Sequence, residues 1–209
     1  MTKMHLTVGP FLVSILFGIA FTCSGATSGS ADKSGLEALL VKPFVRAEFV
    51  KQRKLAILTK PFVTQGYILF DRDKGMVWKT TAPVNDTLLI TETSIRQFDG
   101  EKQTVVSDRN PVMTSISDMF LTIMSLDKDK ILSVYELQSS GSDKQMYRLL
   151  PRDKRMQSII SYIQLVGADR IQSIEIMEKS GDSTRIEITN ERYERAQLTA
   201  DDRALLEKL

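Results

Sequence analysis

The chain has 209 residues, with 28 basic and 26 acidic side chains and a formal net charge of +2. This length suits one domain of ordinary size. The near balance of charge gives no electrostatic argument for nucleic-acid binding, which usually depends on a strongly basic surface.

The N-terminus has the features of a secretory signal peptide. Lys3 and His5 precede an apolar run at 11–21, and small residues lead to Ala26. The run is shorter than the roughly 20 residues of a membrane-spanning helix. We predict a signal peptide at 1–26, cleavage after Ala26, a single mature domain at 27–209 and a periplasmic location. Lipidation of Cys23 is the alternative, although bulky Phe21 fits that signal poorly.

The predicted mature chain contains neither cysteine nor histidine, because Cys23 and His5 are the only ones in the sequence. This excludes a disulfide, a thiol nucleophile, a Ser-His-Asp triad and a His/Cys metal site within one chain. No phosphate-binding or dinucleotide-binding glycine motif is present. We therefore predict a protein that is not an enzyme and has no cofactor or metal.

The elements that follow are predominantly strands. Leu36, Leu39 and Leu40 predict a short helix before Pro43. Alternation and turn residues then predict strands, joined as hairpins. The predicted strands are 44–56, 62–71, 76–80, 86–92, 94–99, 102–106, 131–139, 144–150, 156–166, 171–179 and 184–190, and the predicted helices are 112–126 and one that begins at Thr199 and runs through Leu206. Gly75 is expected to supply the positive φ of the turn after the second strand.

The second predicted strand is apolar on both faces. Phe62, Ile68 and Phe70 share one face, while Val63, Tyr67 and Leu69 point the other way. Such a sheet needs cover on both sides or encloses something. With about eleven strands in succession, we predict a mainly β fold with α-helices, an incomplete (unclosed) antiparallel β-barrel whose open side the helices cover.

The predicted helix at 112–126 carries an apolar stripe. Ile116, Met119, Phe120, Ile123 and Met124 recur at three- and four-residue spacing, and Met113 lies near its start. One interpretation is a helix packed on its own core. The other is a deformable lid over an apolar cavity, because methionine adapts to irregular partners.

The paired carboxylates have structural explanations. Asp71 and Asp73 lie at a predicted turn, Asp127 and Asp129 lie in a helix-to-strand connection, and Asp201 and Asp202 begin the last helix. Trp78 has no interleaved basic and aromatic neighbours, so a place in the core or in a cavity wall is favoured over a nucleic-acid stacking platform.

One stretch resembles a known family. The residues that carry the resemblance are Phe49, Gln52, Arg53, Gly66, Arg72, Gly75, Trp78 and Pro83. They are similar to those of the LolA-like periplasmic carriers of outer-membrane lipoproteins, and the pattern is that of a divergent branch. The resemblance implies an incomplete barrel with an apolar cavity for acyl chains. It also implies an acylated lipoprotein or lipid as cargo, an inner-membrane release complex as donor and an outer-membrane acceptor; we expect a monomer.

The predicted binding residues combine this resemblance with strand alternation. The residues expected in the cavity or its lid are Phe49, Phe62, Phe70, Arg72, Trp78, Leu89, Met113, Met119, Phe120 and Ile123. The resemblance implies that Arg72 helps to hold the lid. An arginine beside a turn is otherwise a solvated side chain, and Asp73 stands where the family often has proline.

The leading functional hypothesis is a carrier that takes acylated lipoproteins from the inner to the outer membrane without covalent chemistry. A second hypothesis keeps the carrier and changes its cargo to a glycolipid, phospholipid or polyene lipid. A third is an enzyme or folding helper on the same scaffold, and a fourth is a sensor domain. Lipid that copurifies with the protein would separate the first two hypotheses from the others.

Overall fold

The computed structural model describes residues 43–99, 102–105, 118–119, 121–125, 127–140 and 146–209. Eleven strands occur within these residues: β1 (Phe44–Lys54), β2 (Phe62–Asp71), β3 (Gly75–Ala82), β4 (Asp86–Ile90), β5 (Ile95–Asp99), β6 (Lys102–Val105), β7 (Tyr135–Ser140), β8 (Met146–Pro151), β9 (Ile160–Val166), β10 (Ser173–Glu178) and β11 (Ser183–Arg192). They form one antiparallel sheet in the order β6-β5-β4-β3-β2-β1-β11-β10-β9-β8-β7. Its edge strands β6 and β7 are not neighbours among these eleven, so the predicted unclosed barrel is confirmed.

The described part of the chain also contains four helical stretches and one 3₁₀ turn. The central helical segment comprises residues 118–119 and 121–125. The others are α1 (Lys128–Val134), α2 (Lys154–Ile159) and α3 (Ala200–Glu207), and the 3₁₀ turn is Arg195–Gln197. The predicted short helix before Pro43 lies outside the described residues, as do several residues of the predicted helix at 112–126.

Two predicted strands are wrong in their first halves, which are helical. The predicted strand 131–139 begins as α1, and only Tyr135–Ser140 is extended. The predicted strand 156–166 begins as α2, and only Ile160–Val166 is extended. Both helices follow an aspartate N-cap: Asp127 accepts a hydrogen bond from the Lys130 amide, and Asp153 accepts from the Arg155 and Met156 amides.

Two glycines shape the β2–β3 hairpin. Gly75 has a φ of +126°, which confirms the positive φ predicted for this turn. A Cβ atom added at Gly66 would lie 1.9 Å from the carbonyl oxygen of Lys79, so only glycine permits the close approach of the two backbones there. The sheet register then places Trp78 of β3 opposite Ile68 of β2.

Strand alternation divides the sheet into an inner and an outer face, and each face has its own core. The inner face is the side on which β1 to β5 and β7 to β11 share one large cluster, which includes Phe49, Ile68, Trp78, Ile163 and Ile186. Met119, Leu121 and Ile123 of the central helical segment are buried in the same cluster, so this segment covers part of the inner face.

The outer face is covered by the C-terminal segment. Phe44, Leu69, Val77 and Leu89 of the first four strands form a second cluster with Leu198 and with Leu206 of α3. Apolar residues on both faces of β2 are therefore explained by two covers, one inside and one outside the half-barrel.

Asp202 fixes the outer cover in place. Its carboxylate Oδ2 accepts hydrogen bonds from Arg46 Nε of β1 and from the Thr199 amide, each at 3.2 Å. The Asp202 amide in turn donates to Thr199 Oγ1, which completes a capping box at the start of α3. Burial, with Asp202 beside the phenol, raises the pKa of Tyr67 to about 12. The side chain of Asp202 is 2% exposed, so this contact is shielded from water.

Replacing Asp202 with alanine should destabilise the protein. The change removes the Asp202 half of the capping box and leaves Arg46 without its buried carboxylate partner, which together should cost about 2–4 kcal/mol of the free energy of unfolding. Asp201→Ala is the matched control, because Asp201 is exposed in the same helical turn and should contribute less than about 1 kcal/mol through the helix dipole. Urea unfolding measures both. Equal losses in the two variants would contradict the assigned role of Asp202.

Candidate functional site

A cavity of about 570 Å³ opens on the inner face of the sheet. This volume lies within the range of about 300–1,000 Å³ that is usual for small-molecule sites. Its walls are mainly apolar, with residues from β1, β3, β4, β5, β9, β10, β11, α2 and the central helical segment. The apolar lining residues are Trp78, Leu88, Ile90, Ile95, Met119, Met156, Ile159, Ile160, Ile176 and Ile186, and the polar ones are Lys51, Arg53, Asp86, Gln97, Glu178 and Thr184.

The polar lining residues lie at one end of the sheet because the inner-face positions of four strands pass from apolar to polar residues there. On β1 the inner-face positions run from Phe49 to Lys51, and on β4 they run from Leu88 back to Asp86. On β10 and β11 the inner positions likewise pass from isoleucine to Glu178 and Thr184. Because neighbouring strands are antiparallel, these ends meet, and the apolar cavity has a charged mouth.

Trp78 connects the aromatic core with the cavity. Its ring centroid lies 4.2 Å from that of Phe49, with the ring planes inclined at 36°. The ammonium of Lys51 lies 5.8 Å from the Trp78 ring centroid. Trp78 is the only tryptophan in the sequence, so its fluorescence reports on this site alone.

The charged residues at the mouth differ in their ion-pair and hydrogen-bond partners. Arg53 lies 3.2 Å from Glu178 and 3.8 Å from Asp182, and Asp86 accepts a hydrogen bond from Gln97 Nε2 at 3.0 Å. Lys51 makes no ion pair or hydrogen bond with any residue that the structure describes. Burial, followed by repulsion from Arg53, lowers the pKa of Lys51 below its ordinary value of 10.5, and Asp86 only partly offsets these effects.

A second, more polar cavity of about 380 Å³ shares Lys51, Asp86 and Gln97 with the first. Thr64 and Thr80 also line it, and the connection at 83–85 completes the wall. Lys51 therefore lies between a mainly apolar space and a polar one.

The structure brings some of the predicted site residues together. Trp78 and Met119 line the 570 Å³ cavity. Phe49, Phe70 and Ile123 are buried in the inner cluster without reaching that cavity. The two proposed roles of the central helical segment coincide at Met119, which belongs both to the inner core and to the cavity wall. Met113 and Phe120 lie outside the described residues.

Three other predicted site residues lie away from the cavity. Leu89 belongs to the outer cluster under α3, because its neighbour Leu88 takes the inner position. Phe62 is 57% exposed at the start of β2, beyond the packed part of the sheet. Arg72 is exposed, and its side chain contacts no partner among the described residues; its amide donates to the Pro43 carbonyl at 2.9 Å.

Sequence reasoning missed the polar half of the site. Lys51 could have been placed on the inner face by counting two residues on from Phe49, but nothing in the sequence indicates that this strand end borders a cavity. Met156 and Ile159 were missed because α2 was predicted as strand.

The described part of the chain holds no helix long and apolar enough to span a bilayer. Over the same residues, no group of three or more His, Cys, Asp or Glu side chains is arranged to bind a metal ion.

Comparison with known proteins gives one family. A family model described as "Outer membrane lipoprotein carrier protein LolA-like" matches residues 26–209. No curated protein sequence matches the chain.

Solved structures give distant resemblances. A LolA superfamily protein from Nitrosomonas europaea is 10% identical over 85% of this chain and 97% of its own, with a TM-score of 0.44. The lipoprotein LppX of Mycobacterium tuberculosis is 9% identical over 75% of this chain and 90% of its own, with a TM-score of 0.37. A chain of the MucA/MucB complex of Pseudomonas aeruginosa is 13% identical over 81% of this chain and 60% of its own, with a TM-score of 0.42. Resemblances of this size carry no functional argument, and the family match stands on its own.

Replacing Lys51 with methionine should stabilise the protein at neutral pH. The folded state binds the Lys51 proton less tightly than the unfolded state does, so the charged form destabilises the fold below the lowered pKa. This penalty fades as the pH rises through that pKa toward 10.5. We expect the substitution to raise the free energy of unfolding by about 0.5 kcal/mol or more. The effect stays small because solvent screens the partly exposed ammonium.

Urea unfolding at pH 7 and at higher pH measures this difference. The gap between Lys51→Met and the unmodified protein should shrink as the pH rises, and the comparison cancels the titration of the tyrosines. Lys79→Met is the control, because Lys79 lies on the outer face, with its ammonium 6.0 Å from the Tyr67 ring centroid. A loss of stability in Lys51→Met alone would show that Lys51 supports the fold.

Proposed function

The chain belongs to the LolA-like family of outer membrane lipoprotein carrier proteins, and from this premise we propose that it shelters the acyl chains of a lipidated cargo in the inner-face cavity. The observation that carries the proposal is a cavity of about 570 Å³ with ten apolar lining residues and a polar mouth at one end of the sheet. Such a space matches a molecule with an apolar chain and a polar end.

In this proposal the cargo is an acylated lipoprotein, received from an inner-membrane release complex and passed to an outer-membrane acceptor. Residues 1–26 act as a signal peptide, and the carrier works in the periplasm as residues 27–209. The leader composition described above supports export, and the start of the family match at residue 26 supports that boundary.

The energy of binding comes from removing methylene groups from water. Burial stabilises by about 0.8 kcal/mol per CH₂, so even a partly sheltered chain offsets much of the cost of association. Met119 and Met156 line the cavity, and their flexible side chains can adjust to chains of different shape. No covalent step is needed: release follows when an acceptor binds the chain more tightly or when the cover over the cavity opens.

A free lipid is the second candidate cargo. The observation that favours it is Lys51 at the mouth of the cavity, which has no ion-pair partner among the described residues and suits a small charged headgroup. Both candidates require the same acyl-chain site.

The fluorescence of Trp78 tests this site. A monoacylglycerol that carries bromine atoms in the middle of its acyl chain should quench Trp78, because bromine quenches tryptophan only at close range and Trp78 lies in the cavity wall. The unbrominated lipid should bind without quenching and should compete with the brominated one. Absence of quenching at all soluble concentrations would contradict the proposal.

Two variants of β10 separate cavity filling from core disruption. Ile176 lines the cavity, whereas Ile174 lies on the same face in packed core. Ile176→Phe should remove most of the quenching with little loss of stability, since the ring enters empty space. Ile174→Phe should cost about 1–3 kcal/mol of stability through overpacking and keep the quenching. The opposite pattern would place the lipid elsewhere.

A further inference from the structure

Lys51 is the charged group at the mouth of the cavity that forms no ion pair within the described part of the chain. Its ammonium makes no ion pair with the residues that the structure describes, although Arg53, Asp86 and Trp78 are nearby. A half-buried ammonium with no anionic partner is unfavourable unless a ligand supplies the anion.

The neighbouring carboxylates do not neutralise Lys51. Glu178 and Asp182 pair with Arg53, and the Asp86 carboxylate accepts a hydrogen bond from Gln97. No salt bridge joins Asp86 to the Lys51 ammonium, although the carboxylate still attracts the charge. The Trp78 ring at 5.8 Å is at the outer limit of a cation–π contact.

A second unsatisfied donor lies beside Lys51. The hydroxyl of Thr64 is buried and has no hydrogen-bond partner among the described residues. Lys51 of β1 is directly opposite Thr64 of β2 in the sheet register, and both side chains line the polar cavity of about 380 Å³. An ammonium and a hydroxyl on adjacent strands thus border one polar space, next to the apolar cavity.

We propose that Lys51 and Thr64 bind the anionic headgroup of an amphiphile whose acyl chain occupies the 570 Å³ cavity. This inference rests on the proposed acyl-chain carrier and names its ligand class: an acyl lipid with a phosphodiester or carboxylate headgroup. Asp86 on the same wall disfavours a doubly charged group, and its free acceptor capacity suits a headgroup with a hydroxyl donor, such as a glycerol phosphodiester.

The test compares two lipids with the same brominated acyl chain, a lysophosphatidylglycerol and a monoacylglycerol, by quenching of Trp78. The unmodified protein should bind the anionic lipid at least tenfold more tightly than the monoacylglycerol, because a hydrogen bond to a charged group contributes a tenfold or larger gain in affinity. Lys51→Met should lose this preference, with binding of the anionic lipid weakened about tenfold to a hundredfold, while binding of monoacylglycerol stays the same or improves.

Two further variants serve as controls. Lys51→Arg keeps the charge and should keep most of the preference. Lys79→Met removes one positive charge on the outer face, where the Lys79 ammonium lies 6.0 Å from the Tyr67 ring centroid, and should leave both affinities unchanged. Glycerol 3-phosphate, which has no acyl chain, should not displace the lipid at comparable concentration, and displacement would indicate a site for a free anion instead.

The possible failures are distinguishable. If both lipids quench Trp78 equally and Lys51→Met has no effect, the headgroup site is wrong and the acyl-chain carrier stands. If neither lipid quenches Trp78, the proposed carrier function fails as well. If Lys79→Met reduces the preference as much as Lys51→Met, the effect is one of net charge, and the site at Lys51 is overturned.

Discussion

The structure depends on an apolar sheet that is not closed. In a closed barrel the strands shield their own inner face, but here β6 and β7 remain separate edges and the inner residues require another cover. The sheet is also apolar on the outer side of β1 to β4. Two covers are therefore needed, and the chain supplies them by different means.

The outer cover is held by specific polar contacts. Asp202 joins α3 to Arg46 of β1, and Arg195 pairs with the buried Asp71 at 2.7 Å. The inner cover consists of apolar contacts, with Met119 and Met156 at the cavity. Directional contacts favour one arrangement, whereas methionine contacts allow several. This difference suits a protein that keeps its outer core fixed while its inner space accepts a ligand.

The sequence predicted the architecture better than the site. The alternating pattern predicted the bounds of β2 that the structure has, and both faces of this strand are covered. The helices α1 and α2 were missed because each has only six or seven residues and an apolar pattern that also suits a strand. In β4, Leu88 and Leu89 are equally apolar, and only the pairing of Trp78 with Leu88 shows which one faces inward. The cavity at Lys51 arises from the ends of several strands, and such a meeting cannot be seen in any one of them.

Native mass spectrometry tests the central claim most directly. The protein would be equilibrated with vesicles of inner-membrane lipids, separated from them and measured intact, and the bound material would then be extracted and identified. The account predicts a protein with a stoichiometric adduct that contains an acyl chain, and loss of this adduct when Ile176 is replaced by phenylalanine. A protein that remains at its bare mass, or an adduct that persists in the variant with the filled cavity, would contradict it.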